Sequence, residues 1–253
     1  MKHAYIDEHS GIESLIHHLD PRIKIITFVG FVFFIVFTNP TSWLTFLLYG
    51  LILGILIALS RIPVLHIFKK SLVVIPFVLV VALFIPFMDH GGGYSLGPFG
   101  ARLSHTGLMV FWNVLIKSYL SVLCVILLTA STRFSDLLKG FERLKCPQLI
   151  VMVLSFMYRY IFVIKDEFMK MRQAKASRSV GGSKWVHMKA LANMVGVLFV
   201  RAYERGESVY LAMSARGFDG TVRTLHPFRI TTADVFFISA MLVSLIGVYV
   251  IGV

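Results

Sequence analysis

Residues 43–59 read WLTFLLYGLILGILIAL, seventeen positions without a charged side chain. A bilayer core is about 30 Å thick, and a helix rising about 1.5 Å per residue needs roughly 20 apolar residues to cross it. Lipid offers the backbone no hydrogen-bond partners, so such a run must be helical or part of a closed barrel. The alternation of a barrel strand is missing. Four further runs resemble it: 23–38, closed by Asn39-Pro40; 71–88, which holds Pro76 and Pro86; 108–130; and 233–253. The stretch 43–59 itself is closed by Arg61 and Pro63. The fold class this predicts is an all-α polytopic membrane protein with about five transmembrane helices.

Composition agrees. Of 253 residues, 57% are hydrophobic and 15% charged, against about 25% charged in soluble domains. The net charge of +12 would suit nucleic acid or an anionic membrane surface; the apolar runs decide for the membrane, with no nucleic acid as partner. Cys124 and Cys146 form no paired or zinc-type spacing and read as free thiols. No basic leader with a small-residue cleavage site precedes the first run, so that run is expected to be retained.

Charge sets an expected orientation. The segment 131–232 holds 17 Lys and Arg against seven Asp and Glu, while the loop 39–42 holds none. Basic segments favour the cytoplasmic side. The expected organisation is a cytoplasmic leader over 1–22, a four-helix transmembrane region over 23–130, a basic cytoplasmic domain over 131–232 and a last span over 233–253, with the C-terminus outside. The 61–70 loop joins the cytoplasmic face; Asp89 to Gly93 with Gly97-Pro98 form a turn-rich outer loop. Residues 149–164 are apolar but carry Arg159. A crossing there would carry the basic block 165–229 outside, so a helix packed beneath the membrane is expected, and 190–200 reads alike. Lys117 is expected to snorkel to the nearer interface rather than pair with a buried acid.

The basic segment is helical in pattern. Residues 165–179 are rich in helix formers and stop at Gly181-Gly182. A second helix is expected from an N-cap at Ser183 to about Ala215, stopping at Gly217. Each helix ends with an arginine before a glycine exit: Ser177-Arg178-Ser179, and Ala215-Arg216-Gly217. A cation there suits the negative end of the helix dipole. An exposed guanidinium fork at a helix tip also suits a partner's carboxylate.

Several stretches together carry a resemblance. They are Ile6-Asp7, Ser14-Leu15 and His18-Leu19-Asp20-Pro21-Arg22-Ile23-Lys24-Ile25 in the leader, then Pro147, Tyr158-Arg159-Tyr160, Asp166-Glu167, Gln173-Ala174 and the two arginine motifs. The chain resembles the transmembrane (T) component of energy-coupling factor transporters, most nearly the cobalt type, over almost its whole length. The resemblance implies a scaffold that joins two cytoplasmic ATP-binding cassette (ABC) ATPase subunits to a membrane subunit capturing the substrate. It makes 131–232 a coupling domain whose two coupling helices dock on the ATPases through Ser177, Arg178 and Ser179 and through Ala215, Arg216 and Gly217, with Arg159 and Glu167 supporting. The second triplet matches the family's Ala-Arg-Gly pattern; the first keeps only its arginine between two small serines. Plasma-membrane localisation and a role in cobalt or nickel uptake follow as expectations, with cobalamin biosynthesis as the attached process. A T component serving a vitamin would carry the same coupling motifs.

No phosphate-binding GxxxxGK[ST] loop occurs. The expected chain is therefore no enzyme, has no cofactor of its own, and leaves ATP to partner subunits. Nine histidines show no metal-ligand spacing. A polytopic membrane enzyme would gather acids or histidines at one face, yet the spans hold almost no acids, Asp234 sitting at the start of the last. Nothing resembles a channel's selectivity filter.

Overall fold

A computed structural model describes residues 19–40, 42–83, 94–96, 101–103, 105–178, 181, 183–220 and 231–252. Among them the helices are α1 (Pro21–Phe37), α2 (Trp43–Ser60), α3 (Val64–Leu83), α4 (His105–Ser131), α5 (Phe134–Arg143), α6 (Gln148–Arg178), α7 (Lys184–Ser214) and α8 (Thr232–Gly252). A small antiparallel hairpin pairs β1 (Tyr94–Leu96) with β2 (Ala101–Leu103). The chain divides into two units, one of residues 2–140 with 228–253, the other of 141–227.

The first unit is a bundle in which α4 packs on α1, α2 and α3, and α8 packs on α1 and α2. Its helices start and stop for local reasons. Asp20 caps α1, its carboxylate accepting from the Arg22 backbone N–H at 3.0 Å, and Pro21 follows at the first position, where its missing N–H costs nothing. Arg61 ends α2 in the left-handed conformation (φ 54°), its N–H returning to Ala58.

Phe28, Phe31, Ile35, Tyr49, Leu53, Leu127 and Leu245 interlock in the core. Tyr49 meets Phe31 edge-on at 5.6 Å, and its hydroxyl accepts from Thr38 at 3.2 Å. Outward faces are as apolar as inward ones: Phe236 is 75% exposed, and Val243, Val250, Phe37 and Leu47 also point out. A bilayer is the solvent that suits such a surface. Between helices in lipid, close packing replaces the hydrophobic drive. Thr45 and Gly252 show it: a Cβ on Gly252 would lie 2.5 Å from the Thr45 hydroxyl.

Helices α2, α6 and α8 and residues 109–131 of α4 are long and apolar enough to cross a membrane. The shorter α1, of 17 residues, and α3, with Lys69 and Lys70 near its start, complete the five-helix bundle. Contacts fix the helix directions. Lys24 at the start of α1 reaches Ser131 at the end of α4, and the Asp20 N–H reaches Asp234 at the start of α8. At the other end, Lys117 of α4 reaches the last carbonyls of α1, and the Ser42 hydroxyl beside α2 donates to Gly252 at the end of α8. The chain therefore leaves the bundle after α4 and returns at α8 on the same end.

The structure departs from the sequence expectations at several points. Lys69 and Lys70 belong to α3, not to a loop, because that helix starts at Val64 directly after Pro63. Residues 149–164 and 165–178 form one continuous helix, α6, since no Gly or Pro interrupts them. The amphipathic α5 and the 94–103 hairpin were not expected. Leader residues 1–18, Pro86, Asp89 to Gly93, Gly97-Pro98, Ser179 and Gly182 lie outside the described residues.

Candidate functional site

The two arginine motifs occupy helix ends of the second unit. Ser183 caps α7, its hydroxyl accepting from the Trp185 N–H. At the far end Gly217 takes the left-handed conformation (φ 76°). The Phe218 N–H returns to the Met213 carbonyl at 3.1 Å and the Gly217 N–H to Ser214 at 3.0 Å. This doubly bonded exit needs a residue with positive φ, which glycine supplies without steric cost. Ala215, Arg216 and Gly217 are all exposed. The backbone is satisfied by its own turn, so the Arg216 side chain is not needed to close the helix.

Arg178 is the last residue of α6 and is exposed; the Ser177 hydroxyl beside it donates to the Gln173 carbonyl at 3.2 Å. Gly181 follows with φ 80°. Ser179 lies outside the described residues. The chain then turns into α7, and Lys175 donates to the His187 carbonyl at 3.1 Å across the turn. Arg178 thus sits at the α6–α7 turn, whereas Arg216 sits beyond the far end of the 31-residue α7. That helix is about 45 Å long. The structure does not bring the two arginines together.

The supporting residues pair differently from their grouping in the sequence. Glu167 forms an ion pair with Arg201 of α7. Arg159 lies beside the ring of its neighbour Tyr160, at 5.9 Å. Arg205 of α7 approaches the same ring at 6.0 Å. Tyr160 and Glu167 stand seven residues apart on α6, and Arg201 and Arg205 four apart on α7, so each pair shares a helix face. That spacing was visible in the sequence and was not used there. The clasp holds α6 and α7 antiparallel. On α7 no residue is buried, and Trp185, Phe199, Tyr203 and Tyr210 are exposed.

A second constellation lies in the bundle. Asp20, Lys24 and Asp234 are 4%, 1% and 1% exposed. One Asp234 oxygen accepts from the Asp20 N–H at 2.8 Å; the other accepts from the Thr231 N–H at 2.8 Å and the Thr231 hydroxyl at 2.6 Å. Lys24 donates to the Ser131 carbonyl at 3.2 Å, and Asp136, Asp234 and Asp20 supply negative charge around it. In the sequence Asp234 reads as a lone acid at the start of the last span. The signal for the Asp20–Asp234 bond, between residues 214 positions apart, is absent from local pattern. Lys117 reaches the end of α1 and donates there to Val36 and Thr38 carbonyls at 2.9 and 2.7 Å, not to an acid. Among the described residues no group of three or more His, Cys, Asp or Glu is placed to hold a metal.

Comparison with known proteins covers most of the chain. Residues 13–227 match the CbiQ family, described as cobalt transport protein. The energy-coupling factor transporter transmembrane protein of Limosilactobacillus fermentum is 31% identical over 82% of this chain and 81% of its own length. That of Staphylococcus aureus is 30% identical over 86% and 85%. An uncharacterized protein of Methanocaldococcus jannaschii is 26% identical over 94% and 82%. These relatives are transporter components or have no assigned role. The chain belongs to the cobalt transport protein (CbiQ) family and, with it, to the transmembrane components of energy-coupling factor transporters.

Proposed function

We propose that this membrane protein is the coupling subunit of an ATP-driven importer, linking two cytoplasmic ABC ATPase subunits to a separate membrane subunit that captures the substrate. The observation that carries the reading is the exposed Arg216 on a helix end whose backbone is already closed by Gly217. Its guanidinium is left to offer planar donors to a partner's carboxylate. Ala215 and Gly217 are small, so a partner surface can approach closely. Arg178, the exposed last residue of α6, lies between Ser177 and Ser179 in sequence and offers a second guanidinium one α7 length away. Two tips about 45 Å apart suit two ATPase subunits better than one. Glu167 supports by pairing with Arg201 across the α6–α7 clasp, and Arg159 by lying beside Tyr160, the ring that Arg205 approaches.

ATP is bound by the partner subunits in this reading, and the chain performs no chemistry itself. Segment 141–227 faces the cytoplasm with the leader and the Arg61 turn, following the excess of basic residues. An odd number of spans then leaves the end of α8 outside, at the inner (plasma) membrane. Cobalt, or nickel, is the favoured cargo, supported by the family's description alone. The captured ion is selected by the other membrane subunit.

The test is co-purification in mild detergent with the neighbouring ATPase. Wild type should retain it. A folded Arg178→Glu, Arg216→Glu variant should lose at least tenfold. Equal recovery from both would make the arginines mere helix ends and remove the reading. Accumulation of cobaltous ion by vesicles holding the whole complex then checks the cargo.

A further inference from the structure

The coupling reading leaves open how motion of segment 141–227 would enter the bundle. That segment is joined to it by two strands of chain, one leaving through α5 and one returning into α8. The first turn of α1 touches both. A Cβ on Gly140 of α5 would lie 2.8 Å from Ile25 Cδ1 and 3.4 Å from Pro21 Cβ, so α5 rests directly on that turn. Lys24, in the same turn, holds the Ser131 carbonyl just before α5. The backbone N–H of Asp20, which caps the turn, is held by Asp234 just inside α8. Asp234 in turn fixes the Thr231 backbone and hydroxyl, at the point where the chain re-enters.

We propose that residues 20–25 form a transmission joint, with Asp20, Lys24 and Asp234 as positioning residues that lock both attachment points of the coupling segment to one turn of α1. The inference rests on the coupling reading above. Apolar side chains of similar volume hold helices together as well as buried charges do. What a hydrogen-bonded charge adds is direction and register: it ties one named atom to another and resists sliding. Burying ionisable groups in a membrane bundle is costly, and those that are kept are paired and tend to mark function. Here three sit where the two connections meet. With the joint intact, a displacement arriving through α5 or α8 tilts α1, α4 and α8 together. With it loosened, the connections flex and the bundle stays still, although the ATPases remain bound.

The experiment uses the full complex in vesicles with its ATPase. A fluorophore is placed at Val243→Cys on the exposed face of α8, with Cys146 replaced by serine. ATP should change the signal in the otherwise native chain. In a Lys24→Met, Asp234→Asn variant the change should fall at least fivefold per bound ATPase. A change of native size there overturns the joint. Should that variant not assemble, Gly140→Val leaves every charge in place. It should lose at least half the signal, and Ile25→Ala in the same chain, which removes the three carbons that valine adds, should restore it. A native signal from Gly140→Val alone overturns the joint equally. Absence of ATPase from the native complex would sink the coupling reading, so the two failures separate.

Discussion

Lys24 and Lys117 cap each other's helices: Lys24 on α1 donates to the last carbonyl region of α4 at Ser131, and Lys117 on α4 donates to Val36 and Thr38 at the end of α1. Fourteen residues separate Lys24 from Thr38, and fourteen separate Lys117 from Ser131. Each ammonium therefore lies at the negative end of its partner's dipole and satisfies carbonyls that have no partner within their own helix. The pair fixes both the antiparallel direction and the register of α1 against α4. Lys117→Met should leave the Val36 and Thr38 carbonyls short of a donor and cost about 1–3 kcal/mol. A lowered thermal transition in detergent checks this; an unchanged transition would mean that water serves those carbonyls as well.

The close approach of α2 and α8 gives a steric test. Gly252→Ala places a methyl 2.5 Å from the buried Thr45 hydroxyl, and overpacking of this kind costs about 1–3 kcal/mol. Thr45→Ala in the same chain removes the clashing atoms and should recover most of the loss. Additive losses in the double variant would show that the two residues do not meet.

Two helix exits predict changes of opposite sign. Lys145, after α5, holds a left-handed conformation (φ 64°) in the doubly bonded turn made by the Cys146 and Lys145 N–H groups. Lys145→Gly relieves the strain of a side chain there and should stabilise by up to about 1 kcal/mol. Gly217→Ala imposes that strain and should destabilise by about 1–2 kcal/mol. In the coupling reading it should also weaken ATPase recovery, since the Arg216 tip loses its shape.

The Glu167–Arg201 pair is partly exposed, at 32% and 54%, and so should contribute little. Glu167→Gln should shift stability by less than about 1 kcal/mol, and a double-mutant cycle with Arg201→Gln should return a coupling of about 0.2–1 kcal/mol that shrinks with salt. A larger coupling would mean that the complex shields this pair from water.

Much of the architecture was legible because lipid leaves few choices. Trp43 to Ser60 and Thr232 to Gly252 declare themselves as spans by length and the lack of charge, and Gly217 marks the end of α7. Short elements were not legible. Residues 134–143 alternate apolar and charged side chains over too few turns to stand out from a basic segment. The candidate arginines were visible because each precedes a glycine exit, and the helix expected from Ser183 to about Ala215 already set them apart; which faces of α6 and α7 meet was not visible, since that depends on how the two helices fold back on each other. The junction of Asp20, Lys24 and Asp234 was illegible for a different reason. Nothing in the neighbourhood of Asp234 points to a residue 214 positions earlier, and a lysine at a helix start reads first as a topological charge.

The Asp20–Asp234 bond also orders events during synthesis. Its two partners leave the ribosome 214 residues apart, which at about 5–20 residues per second is a delay on the order of 10–40 s. Until α8 arrives the Asp20 N–H lacks its carboxylate acceptor, while Asp20 and Asp136 already stand near the Lys24 ammonium. The nascent bundle is an open socket, completed only when α8 arrives. A chain interrupted anywhere within 141–227 lacks the Asp234 carboxylate and leaves the Asp20 N–H without its acceptor.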